Sequence, residues 1–474
     1  MIGVLTLLIP SALAAYFIYQ AARRPIFLLG IPFLQVMRES IFLVNLRPFW
    51  FPARLGIEGS ILVWVVLAWA WCVVRSRTAG HSSEATLRRS ARLLPEEYPL
   101  VALAVLVLAK LLWGGIGSAD TQTLLDRFAT WGLLLAGYWL VRGVVRRSSS
   151  QDVAAFLVAV AVATTIGSAV FIIHQGLHVP IYNVVEYAVF SFEGQTLSRT
   201  YAIISPFFLL PLAVGFARRS WSAGTITMVV VCVLAVAISY TRVFVLSAAG
   251  VLAVLVTLRS LKERRLDLLV RRSFTIAVVL ATASLGMLFV MPKPTEYFLH
   301  RMTSFTRAST ATQDQNILVR QSHLGTVRAV TSDRYWLVGA PFGLVDDMSR
   351  KVSMWSADSA WVGVMYWTGF AGVALVLGMF VLFGLRALGL FMNYGDSTEF
   401  VAAVCFAGIV AMFITSLAGW SFLEPVAHTM GFWLFAFVAG ETIRGTELGP
   451  GAIRDIGAGV EETAGLGHGS PRPS

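Results

Sequence analysis

Long apolar runs recur along almost the whole chain, and they limit what it can fold into. A helix rises 1.5 Å per residue, so about 20 apolar residues cross the roughly 30 Å of hydrocarbon in a bilayer. Apolar residues make up 57% of the 474 positions and charged residues 13%, which leaves too little polar surface for a soluble protein of this size. The sequence therefore predicts an all-α protein, a polytopic bundle of transmembrane helices.

The apolar runs predict 12 or 13 spans over residues 1–443. One or two of them precede Gly56, because residues 25–45 could either cross or re-enter, being interrupted by Pro32, Arg38 and Glu39. The later spans are predicted at 57–75, 98–116, 128–145, 152–173, 199–217, 223–240, 242–259, 273–291, 358–385, 400–418 and 425–443.

Arginines cluster in short loops beside these runs, as orientation signals do. The positive-inside rule assigns such loops to the cytoplasm, which accounts for the net charge of +11 without nucleic acid as a partner. The tail 444–474 is rich in Gly and Pro, and we expect it to be a disordered cytoplasmic segment. The basic clusters fall within 75–92, 142–147, 218–219 and 259–272.

Two long loops, 174–198 and 292–357, fall on the opposite, extracytoplasmic side in this threading. The second carries an excess of positive charge, together with aromatic and apolar stretches that can pack. Loops of more than about 15 residues are usually functional or disordered. We therefore predict that 292–357 forms an ordered extracytoplasmic subdomain.

Two arginines are predicted at the outer membrane boundary, where the positive-inside rule does not explain them. Arg199 opens a helix, and Arg242 sits in a short break between two spans. They could reach lipid headgroups or pair with a loop carboxylate. Beside a basic loop they could also form a pyrophosphate site, because guanidinium groups bind phosphate through two parallel hydrogen bonds.

Lys110 stands inside an apolar span, where an isolated cation is costly. Asp120 and Asp126 follow it, and we expect a structural ion pair.

Four short motifs occur in order between residues 199 and 385. They are Arg199 with Pro206; Ser239-Tyr240-Thr241-Arg242; Arg320 followed by the Gly-rich stretch 336–343; and Asp358-Ser359-Ala360-Trp361 leading to Gly369-Phe370-Ala371-Gly372. In this order they resemble the signature of the O-antigen ligase and polymerase superfamily, in which the last motif is a helix that ends in Gly-x-x-Gly. Asp358 stands where ligases usually have His, which favours a polymerase.

The resemblance implies an inverting glycosyltransferase of the bacterial cytoplasmic membrane that needs neither metal nor cofactor. It would join a glycan from polyprenyl pyrophosphate to a hydroxyl of an acceptor glycan or lipid at the outer face. Arg199, Arg242 and Arg320 would stabilise the departing pyrophosphate. Asp358 would deprotonate the acceptor, or could simply cap a helix.

Three further residues are candidates for binding substrate. Arg328 adds a cation to the large loop, and His323 follows Arg320 by one helical turn, which makes it a reserve base. Glu193 could contact sugar hydroxyls or be solvated.

Other functions stay open at this point. A transporter or a flippase for lipid-linked oligosaccharides would also be a bundle of many helices, although it would usually contain internal repeats, and none is evident. A structural scaffold would leave the boundary arginines unexplained.

Overall fold

Helices form most of the described part of the chain in the computed structural model. Five of them are long and apolar enough to cross a membrane, and shorter apolar helices accompany them. This confirms the predicted all-α, polytopic membrane fold. The structure describes residues 2–40, 56–78, 93–116, 121–176, 189–192, 195–198, 209–218, 222–239, 242–264, 270, 296, 315–342, 344, 346–356, 359–417 and 429–446.

The helices are numbered here in chain order. They are α1 (Ile2–Ala21), α2 (Gly30–Ser40), α3 (Gly56–Thr78), α4 (Tyr98–Ile116), α5 (Thr121–Arg147), α6 (Ser150–Gly176), α7 (Leu210–Ala217), α8 (Ala223–Ile238), α9 (Arg242–Glu263), α10 (Gln315–Arg334), α11 (Asp347–Ser356), α12 (Ala360–Asn393), α13 (Asp396–Leu417) and α14 (433–446). Short 3-10 helices occupy Pro25–Leu29, Pro95–Glu97 and Thr429–Phe432.

The observed helices match most of the predicted spans. The span at 98–116 coincides with α4, and α3, α6, α8, α9 and α13 follow their predictions within a few residues. The segment at 25–45 contains a 3-10 turn and then α2, whose 11 described residues reach roughly 17 Å, about half of the hydrocarbon thickness. The span at 273–291 and the tail after 446 lie outside the described residues, so the total of 12 or 13 stays a prediction.

One β-hairpin interrupts the helical pattern. Strands β1 (Val189–Phe192) and β2 (Gln195–Ser198) pair antiparallel, with Val189 opposite Ser198. Two residues separate the strands in the sequence, the commonest length for a hairpin connection. The first of the predicted long loops therefore contains a small sheet.

The core of the bundle forms where α12 packs against α13 and α4, and α13 packs against α9. Large aromatic rings fill it: Phe383 stacks on Phe435 at 4.9 Å between ring centroids, and Phe380 meets Phe413 edge-on at 5.4 Å. Such pairs contribute about 0.5–1.5 kcal/mol beyond the area that they bury.

A buried carboxylate, Glu399, joins three helices at one end of the bundle. It pairs with Arg259 and lies 2.9 Å from the ammonium of Lys262. Lys262 also donates to the carbonyls of Phe391 and Tyr394, each at 2.6 Å, where α12 ends and α13 begins. The two cations of α9 therefore stabilise this turn between α12 and α13.

Further ion pairs lie at the same end. Glu97 accepts a hydrogen bond from the Tyr138 hydroxyl at 2.8 Å and forms an ion pair with Arg142 at 2.6 Å. Burial raises the pKa of the Glu97 carboxyl above its usual value. Glu96 pairs with Arg386 at 2.6 Å. These pairs bring the predicted cytoplasmic cluster at 142–147 and the beginning of the cluster at 259–272 to one end of the bundle, which we call the basic end.

The elements of the large loop lie at the other end of α12. Helices α10 and α11 both pack against α12 near its beginning, whereas Arg386 and the turn after Asn393 belong to the basic end. We call the end that carries α10 and α11 the loop end. The basic clusters and the helices of the large loop thus lie at opposite ends of the bundle, as the predicted threading requires.

Replacing Glu399 with Gln tests the buried ion-pair cluster. We expect the free energy of unfolding in mild detergent to fall by about 3–5 kcal/mol, because buried Arg259 and half-buried Lys262 lose the carboxylate that they share. The matched control is Glu263→Gln, which breaks a partly exposed ion pair to the same Arg259 and should cost less than about 1 kcal/mol. Equal losses in the two variants would contradict this account.

Candidate functional site

Helix α12 is broken at Gly369, near the loop end. Gly369 has φ 62° and ψ −165°, a conformation that is essentially restricted to glycine, and the helix continues beyond it to Asn393. In the superfamily that the motifs resemble, Gly-x-x-Gly ends the helix, whereas the span predicted here at 358–385 continues past it, as α12 does. The motif marks a break inside a helix of 34 residues.

A segment of the large loop crosses α12 at this break. Gly339 also has a positive φ, 74°, and its backbone lies against that of Gly369. A Cβ on Gly369 would lie 2.5 Å from the carbonyl oxygen of Leu337, and a Cβ on Gly339 would lie 2.5 Å from the amide nitrogen of Thr368. We call this contact, between residues 336–340 and 366–371, the glycine crossing. Only glycine fits at its two central positions.

Main-chain hydrogen bonds hold the glycine crossing together. The amide of Ala340 donates to the carbonyl of Tyr366 at 2.7 Å, and the amide of Phe370 donates to the carbonyl of Trp336 at 2.9 Å. The amide of Ala371 donates to the carbonyl of Leu337 at 3.0 Å. Backbone groups that the break removes from the helix ladder therefore find partners in the crossing segment.

Lys110 of α4 completes the crossing from the other side. Its ammonium donates to the carbonyls of Val338 at 2.6 Å and Gly339 at 2.7 Å, and the side chain is buried. The rings of Trp113 and Phe342 flank it, each 5.5 Å from the ammonium nitrogen. The described partners of Lys110 are thus carbonyls instead of the carboxylates that the sequence suggested. Asp120 and the side chain of Asp126 lie outside the described residues.

The length of α12 leads us to infer that the crossing lies at membrane depth. Seventeen residues separate Gly369 from Arg386 at the basic end, roughly 26 Å along a helix. A hydrocarbon core about 30 Å thick would therefore include the crossing close to its boundary. Irregular backbone is tolerated there only when protein surrounds it, and Ala340 and Phe342 are fully buried.

Helix α10 leads directly into the crossing and carries three of the predicted site residues. Arg320 and His323 are half-buried, and Val327 and Thr331 below them are buried. Steps of three and four residues place all four on one helix face, the one that packs against the bundle. Arg328 is exposed on another face. The structure therefore places Arg320 and His323 on the same face of α10, and Arg328 on a different face.

The remaining predicted residues lie partly or wholly outside the described part of the chain. Arg199, Glu193 and Asp358 are among the residues that the structure does not describe, and Arg242 is described only by its backbone, as the first residue of α9. Their convergence with Arg320 stays a prediction. In the sequence, Glu193 directly follows the last residue of β1.

Acidic residues of the large loop have structural partners. Asp346 caps α11, since its carboxylate accepts a hydrogen bond from the amide of Ser349 at 2.6 Å and the Ser349 hydroxyl accepts one from the amide of Asp346 at 3.0 Å. Lys351 lies 2.6 Å from the carboxylate of Asp347 and lowers its pKa below the usual value. Since Lys351 is paired with Asp347, the half-buried Arg320 is a stronger candidate than Lys351 for binding an anion.

No protein-family model and no curated protein matches the sequence. Within the described ranges, no group of three His, Cys, Asp or Glu side chains could hold a metal ion. The proposal for function therefore rests on the motifs and on the geometry at the loop end.

Substituting Gly369 with Ala tests the glycine crossing. We expect the free energy of unfolding to fall by about 2–5 kcal/mol, because a Cβ meets backbone atoms and the conformation is strained. The control is Gly389→Ala in the same helix, where a Cβ meets nothing among the described residues and the better helix former should add up to about 1 kcal/mol. If both variants unfold alike in detergent, the crossing is not tightly packed.

Replacing Lys110 with Met tests its bonds to the crossing. We expect amide hydrogen exchange in residues 335–342 to accelerate at least tenfold, because losing one buried hydrogen bond to a charged group costs about 1.5–3 kcal/mol. The control is Lys262→Met, which removes a cation from two carbonyls at the basic end and should leave exchange in 335–342 unchanged. Unchanged exchange in Lys110→Met would show that the lysine is dispensable there.

Proposed function

We propose that the protein is a membrane glycosyltransferase that joins a polyprenyl-pyrophosphate-linked glycan to an acceptor hydroxyl at the outer face of a bacterial cytoplasmic membrane. A polymerase is favoured over a ligase, because Asp358 stands at the position of the ligase histidine. The main support is the loop end itself, where α10 and α11 pack against α12 and Arg320 and His323 lie half-buried on the inner face of α10.

The orientation follows from the basic end. Arginine-rich short loops remain in the cytoplasm, so the basic end faces inward and the loop end faces outward. A polyprenyl chain lies in the bilayer and presents its pyrophosphate at headgroup level. Helix α10 ends at Arg334, directly before the crossing, and Arg320 lies half-buried on its inner face, where we expect it to meet this anion.

The chemistry requires fixed positive charge. The acceptor oxygen attacks the anomeric carbon, the bond from that carbon to the pyrophosphate oxygen breaks, and the leaving group departs with two phosphates. Guanidinium groups of Arg320, Arg199 and Arg242 would stabilise this charge, at about 1.5–3 kcal/mol for each charge-assisted hydrogen bond. The acceptor proton would pass to Asp358, with His323 as the reserve base.

A flippase is the alternative, and the break in α12 is the observation that favours it. Transporters bind substrates and ions at broken helices, through backbone groups that the break leaves free. At Gly369, however, described groups of the break bond to residues 336–340, and Lys110 occupies two carbonyls of the crossing segment. The break therefore fits a structural junction better than an ion site.

Reconstitution of the purified protein in vesicles distinguishes the two functions. With polyprenyl-pyrophosphate glycan and an acceptor, we expect release of polyprenyl pyrophosphate together with a longer or transferred glycan, also in the presence of a metal chelator. Movement of intact lipid-linked glycan between leaflets, without release of pyrophosphate, would instead establish a flippase.

In the same assay, Arg320→Lys keeps the charge and loses the planar pair of donors. We expect turnover to fall roughly ten- to hundredfold while thermal unfolding stays unchanged. The control is Arg350→Lys, which alters an exposed arginine of α11 in the same loop and should leave turnover near that of the unmodified protein. Full activity in Arg320→Lys would remove this residue from the active site.

A further inference from the structure

A large apolar groove lies on the side of the bundle, between α1 and α6. Its volume is about 930 Å³, and its lining comes from α1, α6, Arg218 and Phe400. The wall along α6 extends from Ala154 to Ile166, roughly 18 Å of helix. The groove is therefore elongated along α6, a shape that suits a hydrocarbon chain.

Two contacts set the separation of the helices that form the groove. Arg24, just after α1, lies 3.0 Å from Asp152 in the first turn of α6, and Phe17 meets Phe156 edge-on at 6.4 Å between ring centroids. The connection is at the basic end, because Ser150 at the start of α6 is hydrogen-bonded to Thr398, next to Glu399.

Small side chains deepen the groove along its length. Ala12 from α1 and Ala155 and Ala159 from α6 all contribute to its lining. Tyr16 and Val162 at its rim are exposed, so the groove opens to the lipid that surrounds the bundle. An acyl chain can therefore enter it from the side.

A single cation lines the basic end of the groove among the described residues. Arg218 follows the last residue of α7 and is half-buried. Its described hydrogen bond is a long one, 3.4 Å to the hydroxyl of Thr225, and within the described ranges no carboxylate pairs with it. Phe400, which also lines the groove, follows Glu399 of the basic end.

We propose that this groove binds an anionic phospholipid from the leaflet at the basic end. One acyl chain lies between α1 and α6, and the headgroup phosphate pairs with Arg218. The apolar walls fit the chain, and the guanidinium fits the phosphate, which can accept two parallel hydrogen bonds. The site goes beyond the proposed transfer reaction, because it lies at the opposite end from Arg320 and uses none of the predicted catalytic residues.

Charge complementarity selects this occupant over the polyprenyl donor. The donor presents its pyrophosphate at the loop end in the proposed reaction, whereas Arg218 lies at the basic end. Anionic phospholipids are attracted to basic groups at a membrane surface by about 1 kcal/mol for each Lys or Arg, or about fivefold in affinity.

Native mass spectrometry of the full chain in mild detergent tests the proposal. The probe is an equimolar mixture of phosphatidylglycerol and phosphatidylcholine with identical acyl chains. We expect phosphatidylglycerol to be retained at least about fivefold over phosphatidylcholine. Arg218→Gln should abolish this preference, and Ala12→Phe, which fills the groove, should reduce retention of both lipids.

Two matched variants control for general effects. Ala15→Phe adds the same ring to an exposed position of α1 that does not line the groove, and Arg147→Gln removes an exposed arginine from the basic end. Both should retain the preference. Equal retention of the two lipids, a preference that survives in Arg218→Gln, or displacement of phosphatidylglycerol by equimolar polyprenyl phosphate would each overturn the proposal. Lipid retention is measured without transfer activity, so its failure is distinct from failure of the proposed function.

Discussion

Main-chain polar groups at the depth of hydrocarbon have to be paired within the protein, and the loop end of this bundle depends on how that is done. The break in α12 removes backbone groups from their helical partners, and the segment that crosses it has no regular structure of its own. Each supplies hydrogen bonds to the other, and Lys110 binds the remaining carbonyls of Val338 and Gly339. Without this pairing, neither the broken helix nor the loop segment could remain buried at that depth.

The position of α10 follows from the same contact. The helix ends at Arg334, and the chain enters the glycine crossing within two residues. The inner face of α10 is thereby directed toward α12, and Arg320 is held half-buried beside the bundle. The basic end is stabilised differently, by buried ion pairs around Glu399 and Glu97. Both ends thus pair their buried polar groups within the protein. The loop end does so with backbone hydrogen bonds, and the basic end with ion pairs.

The sequence predicts the membrane fold well, because the thickness of the hydrocarbon core sets the length of each apolar run that crosses it. Helix α4 has the predicted bounds, because Lys110 is the one charged residue in its otherwise apolar run. The crossing was not predicted, because main-chain hydrogen bonds between residues 336–340 and 366–371 leave no residue pattern. The carbonyl partners of Lys110 lie 228 and 229 positions away from it in the sequence. Isolated glycines in apolar surroundings were the available signal for it at Gly339 and Gly369.

The candidate site was predicted less completely. The helical spacing of Arg320 and His323 foretold their shared face, because three residues make almost one turn. The buried acids Glu399 and Glu97 were missed, since a carboxylate next to a span looks like part of a solvated loop until its arginine is found on another helix. The partners of Lys110 were missed because they are main-chain carbonyls far away in the sequence, whereas Asp120 and Asp126 are close to it.

The glycine crossing also bears on how such a protein can diversify. Its register is held by main-chain atoms, one lysine and two glycines, so the identity of the neighbouring side chains matters little for its geometry. Trp336 and Leu337 lie within the crossing and are about half exposed, at 54% and 49%. Evolution can therefore exchange these side chains for others without disturbing the junction beneath them. A lineage of such proteins can acquire new surface chemistry beside the membrane boundary while the scaffold stays constant.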